Sequence, residues 1–519
     1  MGSETQPRKW YRSPAVLTAA ALLLPPVGVF LLWLRRDIDT RKKIFSSLAI
    51  LAWLTASIDV LFFSGLFDPK PNFEAHYDQL EKQRAAQHEE VAAYPPSAPS
   101  NSDPPPPIAS SAEERNANSS SSSDGEKTAP PAHQANYWTS FRGRNRDGRY
   151  DESSVLTQWP SSGLPMLWKQ PIGGGYASFV VAGGVAFTIE QRRDQEVAAA
   201  YDVRTGRELW TTGWPAAFSE SMGGDGPRAT PTWDSGRVYA LGAVGDFRCL
   251  DAKSGKVLWS KNILKDNGAS NLQWGMAASP LVVDEKVIVL PGGSSGSIVA
   301  YNKVTGTPVW KVLKDQAAYS SPALVTLAGR RQVLVMTGSR AVGINPSDGE
   351  LLWEYPWSTY QGISAAQPIV VDHNHVFISA GYGKGAALLE VNDTSDGMMA
   401  RAVWENNSMK NKFNSSVLHE GFIYGLDEGI LTCIDASTGE RKWKGGRYGY
   451  GQVMLASGHL IITSDDGDVV LVKATPSGHN ELARFHAVEG KTWNCPAISG
   501  GLLLVRNQTE MACFDIAAR

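Results

Sequence analysis

Closely paired cysteines and a strong net charge are both missing from this sequence. The four cysteines, Cys249, Cys433, Cys495 and Cys513, have none of the short spacings that mark zinc, haem or thiol redox sites, so packing roles are favoured. The formal net charge is only −3, and the C-terminal three quarters of the chain contain no long basic stripe. We therefore expect no nucleic-acid partner.

Glycine and tryptophan are abundant instead. The chain has 50 glycines and 17 tryptophans. Glycine suits tight turns, and large aromatic side chains suit packing between sheets, so this combination indicates an all-β repeat fold.

Two apolar runs near the N-terminus predict a transmembrane hairpin within residues 1–67. Residues 14–34 and 44–66 are each about as long as a membrane-crossing helix, which needs about 20 residues. The basic loop RRDIDTRKK between them is expected in the cytoplasm, which places the rest of an inner-membrane protein on the periplasmic side. Basic residues before the first run and the Pro25-Pro26 pair leave the opposite orientation or a re-entrant segment open.

Residues 68–135 have the composition of a linker. Proline, serine, alanine and charged residues dominate, and such a stretch buries too little apolar surface to offset the entropy of ordering. We expect a disordered tether in which residues 73–93 form a short exposed helix.

One motif recurs through residues 136–519. An Asp or Asn is followed by Gly four residues on and by Trp four further, as expected for a hairpin in which Asp or Asn caps the turn and Gly supplies an unusual backbone angle. The five copies are Asp202-Gly206-Trp210, Asp251-Gly255-Trp259, Asn302-Gly306-Trp310, Asn345-Gly349-Trp353 and Asp435-Gly439-Trp443. Degenerate copies end at Trp404 and Phe485, and the period matches a four-stranded propeller blade.

Short apolar runs that begin each repeat give a second count. Eight sites precede such runs: Tyr176, Arg228, Ala277, Tyr319, Ala365, Asn414, Tyr450 and Trp493. The last repeat ends at the C-terminus without its own Trp strand, and LPMLWKQ at 164–170 supplies the missing one. We predict an eight-bladed, four-stranded antiparallel β-propeller closed by an N-terminal strand.

The segments AYDVRTGRELW and CLDAKSGKVLW resemble the tryptophan-docking repeats of the pyrroloquinoline-quinone (PQQ) propeller superfamily. This superfamily contains quinoprotein alcohol and glucose dehydrogenases as well as non-enzymatic members such as BamB, an outer-membrane assembly lipoprotein. The resemblance implies the fold strongly and leaves the function open.

Loops before the inner strands are expected to converge on one opening of the central channel, where aromatic plates and fixed donors suit a protein partner or a small planar or anionic ligand. The candidate residues are Asp225, Arg228, Trp274, Tyr319, Gln367, Lys412, Asn414, Gln452, Trp493 and Asn494. A structural alternative stays open, in which Ser and Thr beside each proline satisfy inner-strand backbone groups while the tryptophans plug the channel.

Two functions compete. The first is a membrane-tethered, BamB-like binding scaffold without a redox group. The second, implied by the resemblance, is a PQQ-dependent dehydrogenase that oxidises an alcohol or sugar and passes electrons to a membrane quinone, with Asp225 as base and Asn414 or Asn494 as calcium ligands. Adjacent cysteines and a CxxCH haem motif are missing, so the sequence favours the scaffold.

The segment FRGRNRDGRY at 141–150 is rich in turn residues and in arginine. It has the charge to bind an anion through Arg142, Arg144 or Arg146. The favoured interpretation is that it wraps the outside of the first blade.

Overall fold

The computed structural model describes residues 33, 38–50, 73–93 and 138–518. Residues 40–50 are helical, and helix α1 spans Phe73–Ala93. Within the described ranges, no helix combines the length and the apolar character that a membrane crossing requires. Most of the predicted spans 14–34 and 44–66 lies outside the described residues, as does the predicted linker from residue 94 onwards.

Short strands make up the rest of the described chain. Two of them precede the first blade: β1 (Arg149–Tyr150) and β2 (Met166–Pro171). Blades one to four contain β3 (Val180–Ala182), β4 (Val185–Arg192), β5 (Gln195–Asp202), β6 (Glu208–Pro215); β7 (Thr232–Asp234), β8 (Arg237–Leu241), β9 (Asp246–Asp251), β10 (Val257–Asn262); β11 (Leu281–Val283), β12 (Lys286–Val289), β13 (Ile298–Asn302), β14 (Pro308–Val312); and β15 (Ala323–Leu327), β16 (Arg330–Met336), β17 (Arg340–Ile344), β18 (Leu351–Pro356).

Blades five to eight follow the same plan. They contain β19 (Ile369–Val370), β20 (His375–Ala380), β21 (Gly385–Thr394), β22 (Gly397–Asn406); β23 (Val417–His419), β24 (Phe422–Asp427), β25 (Ile430–Asp435), β26 (Arg441–Arg447); β27 (Gln452–Ala456), β28 (His459–Thr463), β29 (Asp468–Lys473), β30 (Glu481–His486); and β31 (Ala497–Ser499), β32 (Leu502–Arg506), β33 (Glu510–Asp515). Within each blade, the strands named here pair antiparallel with their neighbours in sequence. The eight-bladed prediction is confirmed.

The ring closes as predicted. Strand β2 pairs antiparallel with β33 and becomes the fourth strand of blade eight, with Trp168 opposite Cys513. Middle strands such as β29 are almost wholly buried between neighbouring blades, whereas the outermost β30 alternates between exposed and half-buried positions. Pairing the N-terminal strand into the last sheet leaves no blade incomplete, which protects strand edges.

The repeated Trp and Gly positions meet between blades. The Trp210 indole donates a hydrogen bond to the Ala252 carbonyl of blade two at 3.0 Å, and the Trp443 indole donates to Thr475 of blade seven at 2.8 Å. A Cβ on Gly255 would lie 2.5 Å from the Trp210 ring, and the φ of Gly255 is +71°. Glycine is therefore required both by the turn and by the tryptophan of the preceding blade. The sequence spacing predicts the turn but not this contact between blades.

The four cysteines are buried free thiols, as the packing interpretation requires. Burial raises the pKa of Cys249, Cys433 and Cys513 to about 12 each, and that of Cys495 to about 11. Such thiols stay protonated and unreactive at neutral pH.

Helix α1 has the predicted bounds, but the prediction that it is simply exposed is wrong. Tyr77, Leu80 and Arg84 are buried, at the three- and four-residue spacing of one helix face. The helix belongs to the same compact unit as the propeller, Glu74–Ser219 with Asp225–Arg519.

Residues 138–150 enter the centre of the ring, and we call them the plug. Strand β1 pairs parallel with β27, the innermost strand of blade seven. Val181 of blade one donates its backbone N–H to the Trp138 carbonyl at 2.8 Å, and Trp233 of blade two donates to Thr139 at 2.9 Å. The prediction that residues 141–150 wrap the outside of blade one is wrong, because inner strands on opposite sides of the ring contact this segment.

Candidate functional site

Two arginines hold the plug in the channel. Arg146 donates to Ser279 O at 3.1 Å, to Pro322 O at 2.8 Å and also to Pro280 O, and these carbonyls belong to blades three and four. Arg142 donates to Ser416 O of blade six at 2.8 Å and to Val453 O of blade seven at 3.2 Å. Both guanidinium groups are buried, and burial lowers the pKa of Arg146 to about 9. They fasten the plug to the blades, so neither is placed to bind an external anion.

Above the plug, hydrogen bonds join the beginnings of all eight inner strands into a closed ring, which we call the girdle. Each link runs from one blade to the next, through a Ser, Thr, Gln or Asn beside the strand start. The links are Ser178 N to Thr230 Oγ1, Thr230 N to Ser279 Oγ, Ser279 N to Ser321 Oγ, Gln367 Nε2 to Ser321 O, Gln367 N to Ser415 Oγ, Gln452 Nε2 to Phe413 O and Trp493 O, and Asn494 Nδ2 to Gly175 O and Ala177 O. Ser and Thr side chains beside the inner strands therefore bond to backbone groups of the neighbouring blade, as the structural alternative predicted for them.

Four predicted ligand-binding residues lie in or beside the girdle. Gln367, Asn414, Gln452 and Asn494 are all at most 3% exposed. Three of them donate to neighbouring blades, and Asn414 Oδ1 accepts from Asn411 Nδ2 at 3.0 Å. The amides of Gln367, Gln452 and Asn494 therefore join neighbouring blades, whereas that of Asn414 is bonded within its own blade.

The same residues fit a calcium ion poorly. Of the two candidate ligands, only Asn494 has a side-chain oxygen that is buried without a hydrogen-bond partner in the described part of the chain. Calcium takes six to eight oxygen ligands. Within residues 33, 38–50, 73–93 and 138–518, no group of three or more His, Cys, Asp or Glu side chains could hold a metal ion.

Half-buried aromatic residues cover the girdle on the strand-start face, the side on which the inner strands begin. Trp493 stacks on Tyr176 with ring centroids 5.4 Å apart, and its ring centroid lies 4.7 Å from that of Phe413. Phe413 in turn contacts Tyr450 at 5.1 Å. These rings come from blades one, eight, six and seven.

Three cations lie over these aromatic rings. Arg228 is 4.5 Å from the Phe218 centroid and 5.6 Å from that of Tyr176. Lys412 lies 4.4 Å from the Tyr450 ring and donates to its hydroxyl at 2.9 Å. Lys491 lies 4.6 Å from the Trp493 ring.

Blades three to five complete the covering. Trp274 packs against Tyr319 with centroids 5.6 Å apart. Lys412 also lies 5.2 Å from the Tyr382 ring centroid, so Tyr382 and Tyr450 flank the same cation. Burial and then the nearby Tyr319 raise the pKa of Tyr382. We call the combined surface the aromatic face, and its members are Tyr176, Arg228, Trp274, Tyr319, Tyr382, Lys412, Phe413, Tyr450 and Trp493.

The aromatic face contains five of the predicted residues and four that were missed. The predicted members are Arg228, Trp274, Tyr319, Lys412 and Trp493, and their role in binding stays a prediction. Tyr176, Tyr382, Phe413 and Tyr450 had not been selected, although Tyr176 and Tyr450 share the repeat position of Tyr319.

Asp225, the predicted base, lies elsewhere. It is half-buried in the loop between β6 and β7, and its backbone carbonyl accepts from Gln508 Nε2 at 3.4 Å. Burial and then the charge of Asp225 raise the pKa of Tyr77 in α1.

The ring that would stack on a planar quinone already has neighbours. Trp493 contacts Tyr176, Phe413 and Lys491, and Gln367, Gln452 and Asn494 donate to neighbouring blades. A cavity of about 290 Å³ lies near blades three and four, but it is lined by residues 268–272 with Pro291, Gly292, Gln316 and Ala317. None of these is a predicted site residue, so the residues present do not fit PQQ with calcium.

Eight blades, each built from four antiparallel strands, define an eight-bladed β-propeller. A family model described as outer membrane protein assembly factor BamB matches residues 193–445. The protein of that name from Bordetella pertussis is 22% identical over 306 residues, which cover 57% of this chain and 72% of the relative.

Dehydrogenases share the same architecture. Quinohemoprotein alcohol dehydrogenase ADH-IIG of Pseudomonas putida is 24% identical over 200 residues, covering 36% of this chain and 27% of that protein. The solved structure of a europium-containing methanol dehydrogenase superposes with a TM-score of 0.53 at 13% identity, covering 72% of this chain and 90% of the other. At that identity the likeness shows the fold alone.

Proposed function

We propose that this protein is a membrane-anchored scaffold whose aromatic face binds an acidic segment of another protein. The observation that carries the proposal is the convergence of half-exposed Tyr and Trp rings with Arg228 and Lys412 on one face. Protein interfaces are enriched in Tyr, Trp and Arg, and buried anchors of these types supply much of the binding energy.

A broad partner suits this face better than a small ligand. The plug closes the channel, and the girdle engages the buried amides below the aromatic rings. Small-molecule sites are concave and bury most of the ligand, whereas here the side-chain amides of Gln367, Gln452 and Asn494 already donate to neighbouring blades. The BamB-named relatives support a role in protein assembly.

The membrane anchor and the location are part of the proposal. Residues 14–34 and 44–66 supply the two spans, and the basic loop between them supports a periplasmic propeller in the inner membrane. Two reporter enzymes are fused after Phe67, one that is active only outside the cytoplasm and one that is active only inside it. We expect activity from the first reporter alone. Activity restricted to a reporter that works in the cytoplasm would reverse the orientation.

Photo-crosslinking in cells tests the binding face. A photoreactive phenylalanine analogue replaces Trp274 or Tyr450, and the control position is exposed Lys253 in the β9–β10 turn on the opposite side of the ring. We expect one discrete crosslinked protein from the two face positions and none from the control. Lys412→Glu should weaken the crosslink about tenfold, as a loss of about 1.4 kcal/mol implies, while Lys253→Glu should not. Equal crosslinking in both charge variants would contradict the proposal.

Incubation with PQQ and calcium tests the enzymatic alternative separately. A bound-cofactor spectrum together with dye reduction by alcohols or aldoses would support a dehydrogenase. We expect neither, because a planar ring stacked on Trp493 would have to compete with Tyr176 or Phe413, which already contact it.

A further inference from the structure

We propose that α1 is a docking element that clamps the N-terminal region onto the seam between blades one and eight, so that residues 94–137 do not act as the tether. The clamp itself follows from contacts within the propeller unit. Its consequence for the distance from the membrane rests on the proposed function, because that distance depends on the proposed spans.

On the blade-eight side, α1 contacts the strand that closes the ring. Arg84 donates to the side chain of Gln170 at 3.2 Å and to the Pro171 carbonyl at 3.1 Å. The His76 ring donates to the Ile172 carbonyl at 2.7 Å. The helix therefore grips the end of β2, the strand whose pairing completes the propeller.

On the blade-one side, the same arginine enters a buried charge cluster. Arg84 Nε lies 3.4 Å from a Glu208 carboxylate oxygen, with both side chains 6% exposed, and its guanidinium lies 5.1 Å from the Tyr201 ring centroid. Glu208 also pairs with Arg192 at 2.5 Å. Because Arg192 remains, removal of Arg84 leaves Glu208 with a partner.

A second set of ion pairs fastens the start of the helix. Arg193, in the turn between β4 and β5, contacts Glu81 at 2.9 Å, Asp78 at 2.6 Å and Glu74 at 2.5 Å. Three carboxylates at helical spacing converge on one guanidinium. Together with buried Tyr77 and Leu80, these pairs give α1 a complete docked face.

The clamp changes which part of the chain limits the distance between the proposed membrane spans and the propeller. Residues 94–137 connect α1 to the plug, and both of these segments contact the propeller. Only residues 67–72 separate the second proposed span from α1, which allows at most about 25 Å of extended chain. A tether made of residues 94–137 would allow several times that distance.

Specific cleavage tests the clamp. Residues 110–116 are replaced by a protease recognition sequence in the full-length protein, which is cleaved in detergent and analysed by size-exclusion chromatography through a C-terminal tag. The two fragments should stay together at micromolar concentration. In a Leu80→Asp/Arg84→Glu variant, the fragments should separate at a concentration at least tenfold higher than in the unsubstituted protein. Lys82→Glu, an exposed charge reversal on the same helix, should match the unsubstituted protein.

Separation of the unsubstituted fragments on cleavage would overturn the clamp, as would unchanged retention in the double variant. Tryptophan fluorescence and circular dichroism verify that the propeller stays folded. If the double variant unfolds, Arg84→Met replaces it, since Glu208 then keeps Arg192. The assay contains no partner protein, so failure of the aromatic face to bind leaves its result unaffected.

Discussion

Replacing Arg146 by methionine should destabilise the propeller by loosening the plug. Its guanidinium donates five hydrogen bonds, to Ser140, Thr232, Ser279, Pro280 and Pro322. At about 1.5 kcal/mol each, the low end for a charged donor, these bonds contribute about 7 kcal/mol. These values are net of the desolvation of the guanidinium, which burial makes costly enough to lower its pKa to about 9. Methionine supplies none of the five donors and leaves buried carbonyl oxygens without them, so we expect a loss of about 5 kcal/mol or more in unfolding free energy.

Urea unfolding of the full-length protein, followed by tryptophan fluorescence, measures this loss. The expected result is a lower midpoint with an unchanged slope, because the surface exposed on unfolding stays the same. Arg144→Met is the matched control, since Arg144 lies in the same segment but is exposed, and it should cost less than about 0.5 kcal/mol. Equal midpoints for the two variants would refute the role of the plug in holding the ring.

Two further predictions concern the blades. Gly255→Ala and Gly236→Ala, at φ +71° and +77°, should each cost about 1 kcal/mol for a left-handed backbone. Only Gly255→Ala should add an overpacking cost of about 1–3 kcal/mol against Trp210, and equal urea midpoints would contradict this. Burial raises the pKa of Glu196 to about 7 from 4.5. Its protonated form therefore contributes stability that is present below pH 4.5 and lost as the pH rises through about 7. Relative to Glu196→Gln, the unsubstituted protein should lose about 3 kcal/mol of unfolding free energy over this range, and parallel pH profiles would contradict this.

The architecture was predictable because its determinants are local and repeated. The Asp-Gly-Trp spacing specifies one hairpin per blade, so the period and the displaced Trp168 strand predicted both the blade number and the closure. Helix α1 was predicted to the residue for a similar reason, since helical spacing is a local signal. Its burial was not, because Arg193 and Glu208 lie more than a hundred residues away in sequence.

The plug was missed because its chemistry runs against composition rules. A segment with four arginines normally lies in solvent. Here Arg142 and Arg146 are instead solvated by backbone carbonyls of blades three, four, six and seven, which come together only in the closed ring. The sequence also did not reveal that the side-chain amides of Gln452 and Asn494 donate to carbonyls of the next blade, because these partners are brought together only by the closed ring.

A closed channel constrains how this ring can act. The girdle joins every blade to the next, and the plug contacts the inner strands of opposite blades. An unbroken network of hydrogen bonds therefore supports the aromatic face. Rings such as Trp493 and Tyr450 are already held by neighbouring aromatic and cationic groups. Little side-chain entropy is then lost when a partner covers them, which favours association with a preorganised surface. A small planar ligand that stacks between the Tyr176 and Trp493 rings would gain less binding free energy, because these two rings must first separate. These contacts are the reason why the proposed function places recognition on the aromatic face.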